Sequence, residues 1–166
     1  MYYCHVDADA FFASALQRRR PNLQGKALLA LGMGGGCVIA ASYEAKALGV
    51  KTGMRLTDAR KLAPNAIALP SDFPEALKAS REIELILTNQ CPFIERYSVD
   101  EWFLDLQSIP GGLPSDPQAW AQTMQVDVQR KTHLTVSIGI APTKLLAKMA
   151  SEYRKPAGIT VVQTPC

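Results

Sequence analysis

The hydrophobic pattern divides this chain into short strands and helices punctuated by Gly and Pro. Residues 2–7 (YYCHVD) read as a strand that ends on an acid. DAFFASALQRR then has helical spacing, with Asp9 placed as its N-cap. Residues 27–31 (ALLAL) and 37–42 (CVIAAS) are two strands around the loop GMGGG, and that loop lacks the Lys-Ser or Lys-Thr of a phosphate-binding loop. YEAKALG is a short helix stopped by Gly49, TDARKLA a second stopped by Pro64, and NAIALP a brief strand. Ser71 to about Gln90 is helical, with Leu77, Ile83, Ile86 and Leu87 forming one apolar face. FIERYSV and EWFLDL form a hairpin, and SIPGGLPSDP is a loop by composition. Asp116-Pro117 opens a helix with cap and first-turn proline in the favoured order. LTVSIGIA is a strand, Pro142 starts the helix TKLLAKMASEY, and ITVV closes the series as a strand. Helices interleaved with a mostly antiparallel sheet predict an α+β fold of ferredoxin-like type, with residues 20–75 as a small inserted lobe.

Within the hairpin, Asp100 and Glu101 stand side by side among Tyr, Val, Trp, Phe and Leu. Those neighbours favour a half-buried sheet, where two carboxylates are expensive unless something compensates them. In a straight strand the two acids would face opposite ways. A turn at Val99-Asp100-Glu101 would let them converge at the hairpin tip.

Composition adds bounds. The 166 residues suffice for one well-buried domain, or a domain with a small insertion. They are 48% hydrophobic and 20% charged, as in soluble globular proteins. A net charge of +3 is too small to announce a nucleic-acid partner. Basic residues nevertheless cluster at Arg18–Arg20, along Lys46, Lys51, Arg55, Arg60 and Lys61, and at Lys144, Lys148, Arg154 and Lys155. Cys4, Cys37, Cys91 and Cys166 show no CxxC spacing, which argues against structural zinc and a disulfide framework. MYYCHVDADA does not read as a secretory signal, and no apolar run reaches the roughly 20 residues that span a bilayer. The expectation is a soluble, cytoplasmic chain with no membrane contact.

In a ferredoxin-like sheet the first strand lies beside such a hairpin, so Asp7 is expected next to Asp100 and Glu101. Three clustered carboxylates repel one another, and divalent cations remove that repulsion. Two such ions can stabilise both the attacking and the leaving oxygen of phosphoryl transfer. The amides of Ala10, Phe11 and Phe12 at a helix start would suit a triphosphate. Taken singly, Asp7 also reads as a helix cap, and Asp-Glu as a solvated turn.

VDADAFFASA, SYEAKALGVKTGM, YSVDEWFLDL, SIGIAPTKLLAKMAS and KPAGITVV follow one another along essentially the whole chain. In order and spacing this set resembles the Y-family (translesion) DNA polymerases, of the polymerase IV and polymerase V catalytic-subunit type. The resemblance implies a palm of residues 1–19 and 76–166 and fingers of 20–75, with thumb and little-finger domains absent. It implies template-dependent addition of dNTPs to a primer 3′-OH, with low fidelity and processivity, in translesion synthesis and DNA repair. Asp7, Asp100 and Glu101 match the catalytic, metal-binding carboxylates, and the Ala8 carbonyl matches a further ligand. Two Mg²⁺ ions are the implied cofactor, with Mn²⁺ as a substitute.

Phe12 matches the steric gate that excludes a ribose 2′-OH, although a lone Phe there reads equally as core. Tyr43, Lys46 and Lys155 match residues that touch the triphosphate. Lys144 and Lys148 lie where the primer strand would pass, and solvated lysine is the competing reading. Implied partners are primer-template DNA and dNTP, then a sliding clamp or a chain supplying a thumb. Without a thumb, DNA affinity is expected to be weak and steeply salt-dependent. Ala40 departs from the small hydroxyl residue common three before the tyrosine, and Lys46 from the Arg of many members, giving a point charge in place of a fork. The competing classes are a non-catalytic accessory module, which would tend to lack the acids, and a nucleotidyl cyclase, against which SYEAKALG argues.

Overall fold

The computed structural model describes residues 1–163, and Cys166 lies outside them. The chain divides into two compact units, residues 10–78 and the remainder, with α1 falling in the inserted unit. Each is described separately.

The first unit is built on a five-stranded sheet in the order β5-β6-β1-β7-β8. The central strand β1 (Tyr3–Ala8) runs antiparallel to β6 (Glu101–Asp105) and to β7 (Val136–Ala141). The short edge strand β5 (Ile94–Arg96) joins β6, and β8 (Ile159–Val161) lies parallel to β7. Register sets the two faces. Asp7 is opposite Glu101 on one side and Ser137 on the other, and His5 is opposite Phe103 and Gly139. Because side chains alternate, His5, Asp7, Glu101 and Ser137 share one face, while Val6, Trp102 and Ile138 share the other. Helix α6 (Lys144–Tyr153) covers the first of these faces. Gly139 permits that approach, since a methyl there would lie 2.0 Å from the Ala147 carbonyl oxygen. Helix α5 (Pro117–Thr132) has its first turn capped by Asp116, whose carboxylate accepts from the Ala119 N–H at 2.9 Å.

The second unit holds a three-stranded sheet, with β2 (Leu28–Leu31) between antiparallel β3 (Val38–Ala41) and parallel β4 (Ile67–Pro70). Leu28, Ala30 and Ala40 pack with Ala13 and Leu16 of α1 (Phe11–Arg19). Leu29, Leu31 and Val38 pack with Ala45 of α2 (Tyr43–Ala47) and Ala59 of α3 (Leu56–Leu62). Alanine at these contacts lets short helices lie close to a small sheet. Ser42 fixes the α2 entry: its hydroxyl accepts from the Leu28 and Ala45 N–H groups and donates to the Lys26 carbonyl.

Three local expectations change. The N-cap position of α1 is taken by Ala10, in the left-handed region at φ 44°, rather than by Asp9. Asp9 turns inward, where a carboxylate can accept from two donors of the first unit. Helix α6 is capped by Thr143 rather than begun by Pro142, because the threonine hydroxyl satisfies the Leu146 N–H. Helix α4 (Phe73–Gln90) buries Ala79, Ile83, Ile86 and Leu87, whereas Leu77 is exposed. The smaller alanines take the inward turn positions that Leu77 was expected to fill. Cys4, Cys37 and Cys91 are free thiols. No described helix is long and apolar enough to cross a membrane.

Candidate active site

The β5–β6 connection bends through Ser98–Asp100 and closes with the Tyr97 and Ser98 N–H groups donating to the Glu101 carbonyl at 3.0 and 3.1 Å. The two acids therefore divide. Asp100 lies in the turn, and Glu101 is the first residue of β6, opposite Asp7. The Ala8 N–H donates to the Asp100 carbonyl at 2.9 Å, tying the turn to the end of β1. Ser98 donates to Asp100 Oδ1 at 2.6 Å and holds that carboxylate in place.

Two ammonium groups face the acids. Lys155 Nζ lies 2.7 Å from Asp7 Oδ2, and Lys148 Nζ, from α6, pairs with Glu101 Oε1. The environments push the two carboxyls apart. Burial lifts Asp7 to about 6, against the opposing Lys155 hydrogen bond and charge, with Glu101 and Asp100 adding repulsion. Burial also acts upward on Glu101, but the Lys148 hydrogen bond and charge outweigh it and hold this carboxylate below its usual range. His5 completes the group. Its imidazole is fully buried and held down to about 4, chiefly by burial, so the ring is neutral at physiological pH.

One donor atom each of His5, Asp7 and Glu101 lies within 4.8 Å of the others, so these residues fit a divalent cation. Asp100 stands outside that trio with its carboxylate on Ser98, although its charge is felt at Asp7. The pattern of expected residues did not single out His5, Asp9 or Ser151. A period of two counted back from Asp7 does place His5 on the same strand face. Asp9 is 1% exposed; its carboxylate accepts from the Ser137 hydroxyl at 2.6 Å and the Ala157 N–H at 2.9 Å. It thereby anchors the turn that carries Lys155.

Lys144 pairs with Glu95, its ammonium 5.5 Å from the centre of the Phe103 ring. The remaining expected residues belong to the second unit. Ala10 and Phe11 open α1, with the Phe11 side chain buried. Phe12 is half-buried and packs edge-on against Phe73, ring centres 5.5 Å apart. Tyr43 and Lys46 lie on α2, where the Lys46 ammonium sits 4.5 Å over the Tyr43 ring, and Ala40 is buried on β3.

Residues 6–152 match the model of the impB/mucB/samB family, and the chain belongs to that family. This agrees with the resemblance to Y-family polymerases. It is 40% identical over 159 residues to a DNA polymerase IV of Xanthomonas oryzae, covering 95% of this chain and 44% of that protein. A DNA polymerase IV of Methanoculleus marisnigri is 40% identical over 164 residues, covering 96% and 45%. Among solved structures, DinB from Sulfolobus solfataricus superposes with a TM-score of 0.91 at 35% identity, over 98% of this chain and 48% of that one. An insertion ternary complex of Dbh DNA polymerase gives 0.92 at 34%, over 98% and 49%. The chain thus spans less than half the length of these relatives.

Proposed function

We propose that this chain carries the palm (1–19 and 76–166) and fingers (20–75) of a translesion DNA polymerase that adds dNTPs to a primer 3′-OH on a DNA template. The observation that carries the reading is the pairing of Asp7 with Glu101 across β1 and β6, with Asp100 next in the turn. Bound there, two Mg²⁺ ions, or Mn²⁺ in their place, would supply charge stabilisation for the attacking and leaving oxygens. Asp7, Asp100, Glu101 and the Ala8 carbonyl are the proposed ligands. Lys155, held by the Asp9-anchored turn, is the proposed phosphate contact of the first unit. The amides of Ala10, Phe11 and Phe12, together with Tyr43 and Lys46, are those of the second. Phe12 is the proposed steric gate, and Lys144 and Lys148 the proposed DNA contacts. The setting is cytoplasmic DNA repair, and the further partner is a sliding clamp.

The test is primer extension by the 166-residue chain at low salt, with Mg²⁺ and then Mn²⁺, beside Asp100→Ala. Loss of one ligand should reduce extension on the order of a thousandfold, a few kcal/mol of transition-state stabilisation. Extension equal in the two proteins would remove the metal assignment, and template-independent nucleotide addition would remove the polymerase reading. Phe12→Ala should raise ribonucleotide incorporation relative to dNTP, and an unchanged ratio would leave Phe12 a packing residue.

A further inference from the structure

The sheet face that carries the acid pair extends to the other end of β1. There Tyr3 stands opposite Asp105, and Glu95 of β5 opposite Phe103, so all four side chains belong to that face. With Phe93 and Lys144 they line a cavity of about 250 Å³ that lies wholly within the first unit. Tyr3 is four residues from Asp7, roughly 13 Å along the strand, so the cavity is separate from the acid pair. Its volume falls below the roughly 300–1,000 Å³ of small-molecule sites and suits one side chain better than a whole ligand.

The charge of the cavity narrows the choice of side chain. Lys144 already places an ammonium there: it pairs with Glu95 and lies 5.5 and 5.8 Å from the centres of the Phe103 and Tyr3 rings. A cation near two aromatic rings and against a carboxylate is favourably seated. One ammonium does not balance the lining, however. Asp105 also lines the cavity, and its carboxylate accepts from the backbone and side-chain N–H groups of Gln107, which carry no charge. Two carboxylates against one ammonium leave a net charge of −1, which repels phosphate and favours a second cation.

The backbone beside the cavity is open as well. β5 is an edge strand, with no strand on its outer side among the described residues. Exposed aromatics bracket it: Phe93 is 71% exposed and Tyr97 59%. Such an edge is where an extended peptide adds as a further strand, with main-chain hydrogen bonds giving affinity and a side-chain pocket giving specificity. Charged residues on an edge deter indiscriminate addition. Arg96 is matched by Glu84, which leaves Glu95 as the charge that an added strand must satisfy.

We propose that β5 and this cavity form a docking site for an extended segment of a partner protein. The segment adds to the β5 edge and inserts an arginine or lysine side chain between the Tyr3 and Phe103 rings and the carboxylates of Glu95 and Asp105. The entering cation takes over Glu95 from Lys144. The site is independent of any metal at Asp7 and Glu101.

The experiment titrates the full chain with a fluorescein-labelled octapeptide of alternating Thr and Val with one central Arg. Binding is read by anisotropy and by the amide NMR signals of β5. The Arg peptide should bind and shift those signals, and Glu in place of the central Arg should weaken binding about tenfold or more. Glu95→Gln should weaken the Arg peptide about fivefold, whereas Lys144→Met, which removes the resident cation, should strengthen it by about the same factor. The Lys144 and Glu95 side chains are 43% and 55% exposed, so neither substitution threatens the fold. An Arg peptide that fails to bind, or binds no better than the Glu peptide, would overturn the proposal. Weaker binding to Lys144→Met would overturn the exchange of cations at Glu95. If peptides N-methylated on either set of alternate amides bind as well as the parent, the addition to the β5 edge is overturned.

Discussion

The charged groups around the β1–β6 acid pair of the first unit and two surface ion pairs of the second live under different physics. In the first unit, Asp7, Glu101, Lys148 and Lys155 meet around a fully buried imidazole, and their side chains are between 9% and 31% exposed. In the second unit, the Arg19–Asp72 and Lys61–Asp58 pairs stand in solvent, with the basic partners 63% and 76% exposed. Water screens the second group, so those pairs contribute little and call for no functional explanation. The first group sits where desolvation is strong enough to lift Asp7 to about 6 in spite of a lysine 2.7 Å away. A fold keeps such an arrangement at a cost in stability, and here the arrangement coincides with the one cluster of donor atoms that fits a cation among the described residues.

The largest expected effect tests the support behind that cluster. Asp9→Ala would leave the Ser137 hydroxyl and the Ala157 N–H without the acceptor they now share. Each orphaned buried donor costs roughly 1–3 kcal/mol, so the variant should lose about 3 kcal/mol in urea unfolding. A loss below about 1 kcal/mol would mean that water substitutes for the carboxylate, and the first unit would then be less dry than its geometry implies.

Asp7 supplies the next effect, and its sign is opposite. A carboxyl raised from near 4 in the unfolded chain to about 6 binds more protons folded than unfolded between those values. Stability conferred by this group is full below about pH 4 and is lost as pH rises through about 6. In the presence of chelator at pH 7.5, Asp7→Asn should therefore be more stable than wild type, by on the order of 2 kcal/mol. The difference should close at pH 4. A less stable variant at pH 7.5 would show that the Lys155 pair outweighs burial.

These two acids also show what the sequence makes legible. Asp7, Asp100 and Glu101 could be singled out because carboxylates among apolar strand residues are conspicuous. The meeting of Asp7 with Glu101 followed from topology, since β1 beside the hairpin is the usual pairing of this α+β class, whereas the turn that sets Asp100 apart on Ser98 did not. The Asp116-Pro117 helix start is a local signal, readable at a distance of three residues. Asp9 is the contrary case. Its partners lie 128 and 148 residues away, so the residue reads locally as a cap. His5 was hidden for a related reason: its buried position depends on Ser151, 146 residues distant, and on a glycine in β7 that lets α6 descend onto the sheet. Leu77 misleads because a helical apolar stripe can be drawn through it, while the buried stripe runs through the neighbouring alanines.

The smallest effect sharpens the contrast from the solvent side. Arg19 Nη1 lies 2.8 Å from Asp72 Oδ2, as close a contact as Lys155 makes with Asp7. Distance alone would rank the two pairs together. The Arg19 side chain is 63% exposed, however, so its attraction is screened and partly offset by the entropy of holding a long side chain still. Asp72 also accepts from the Glu75 N–H with its other oxygen, and that cap survives loss of the arginine. Arg19→Ala should therefore change stability by less than about 0.5 kcal/mol, and the change should shrink further in molar salt. A loss above about 1 kcal/mol that persists in salt would mean that exposure is a poor guide to ion-pair strength in this chain. The contrast between the acid pair and these surface pairs would then have to rest on the burial of Asp7 and His5 alone.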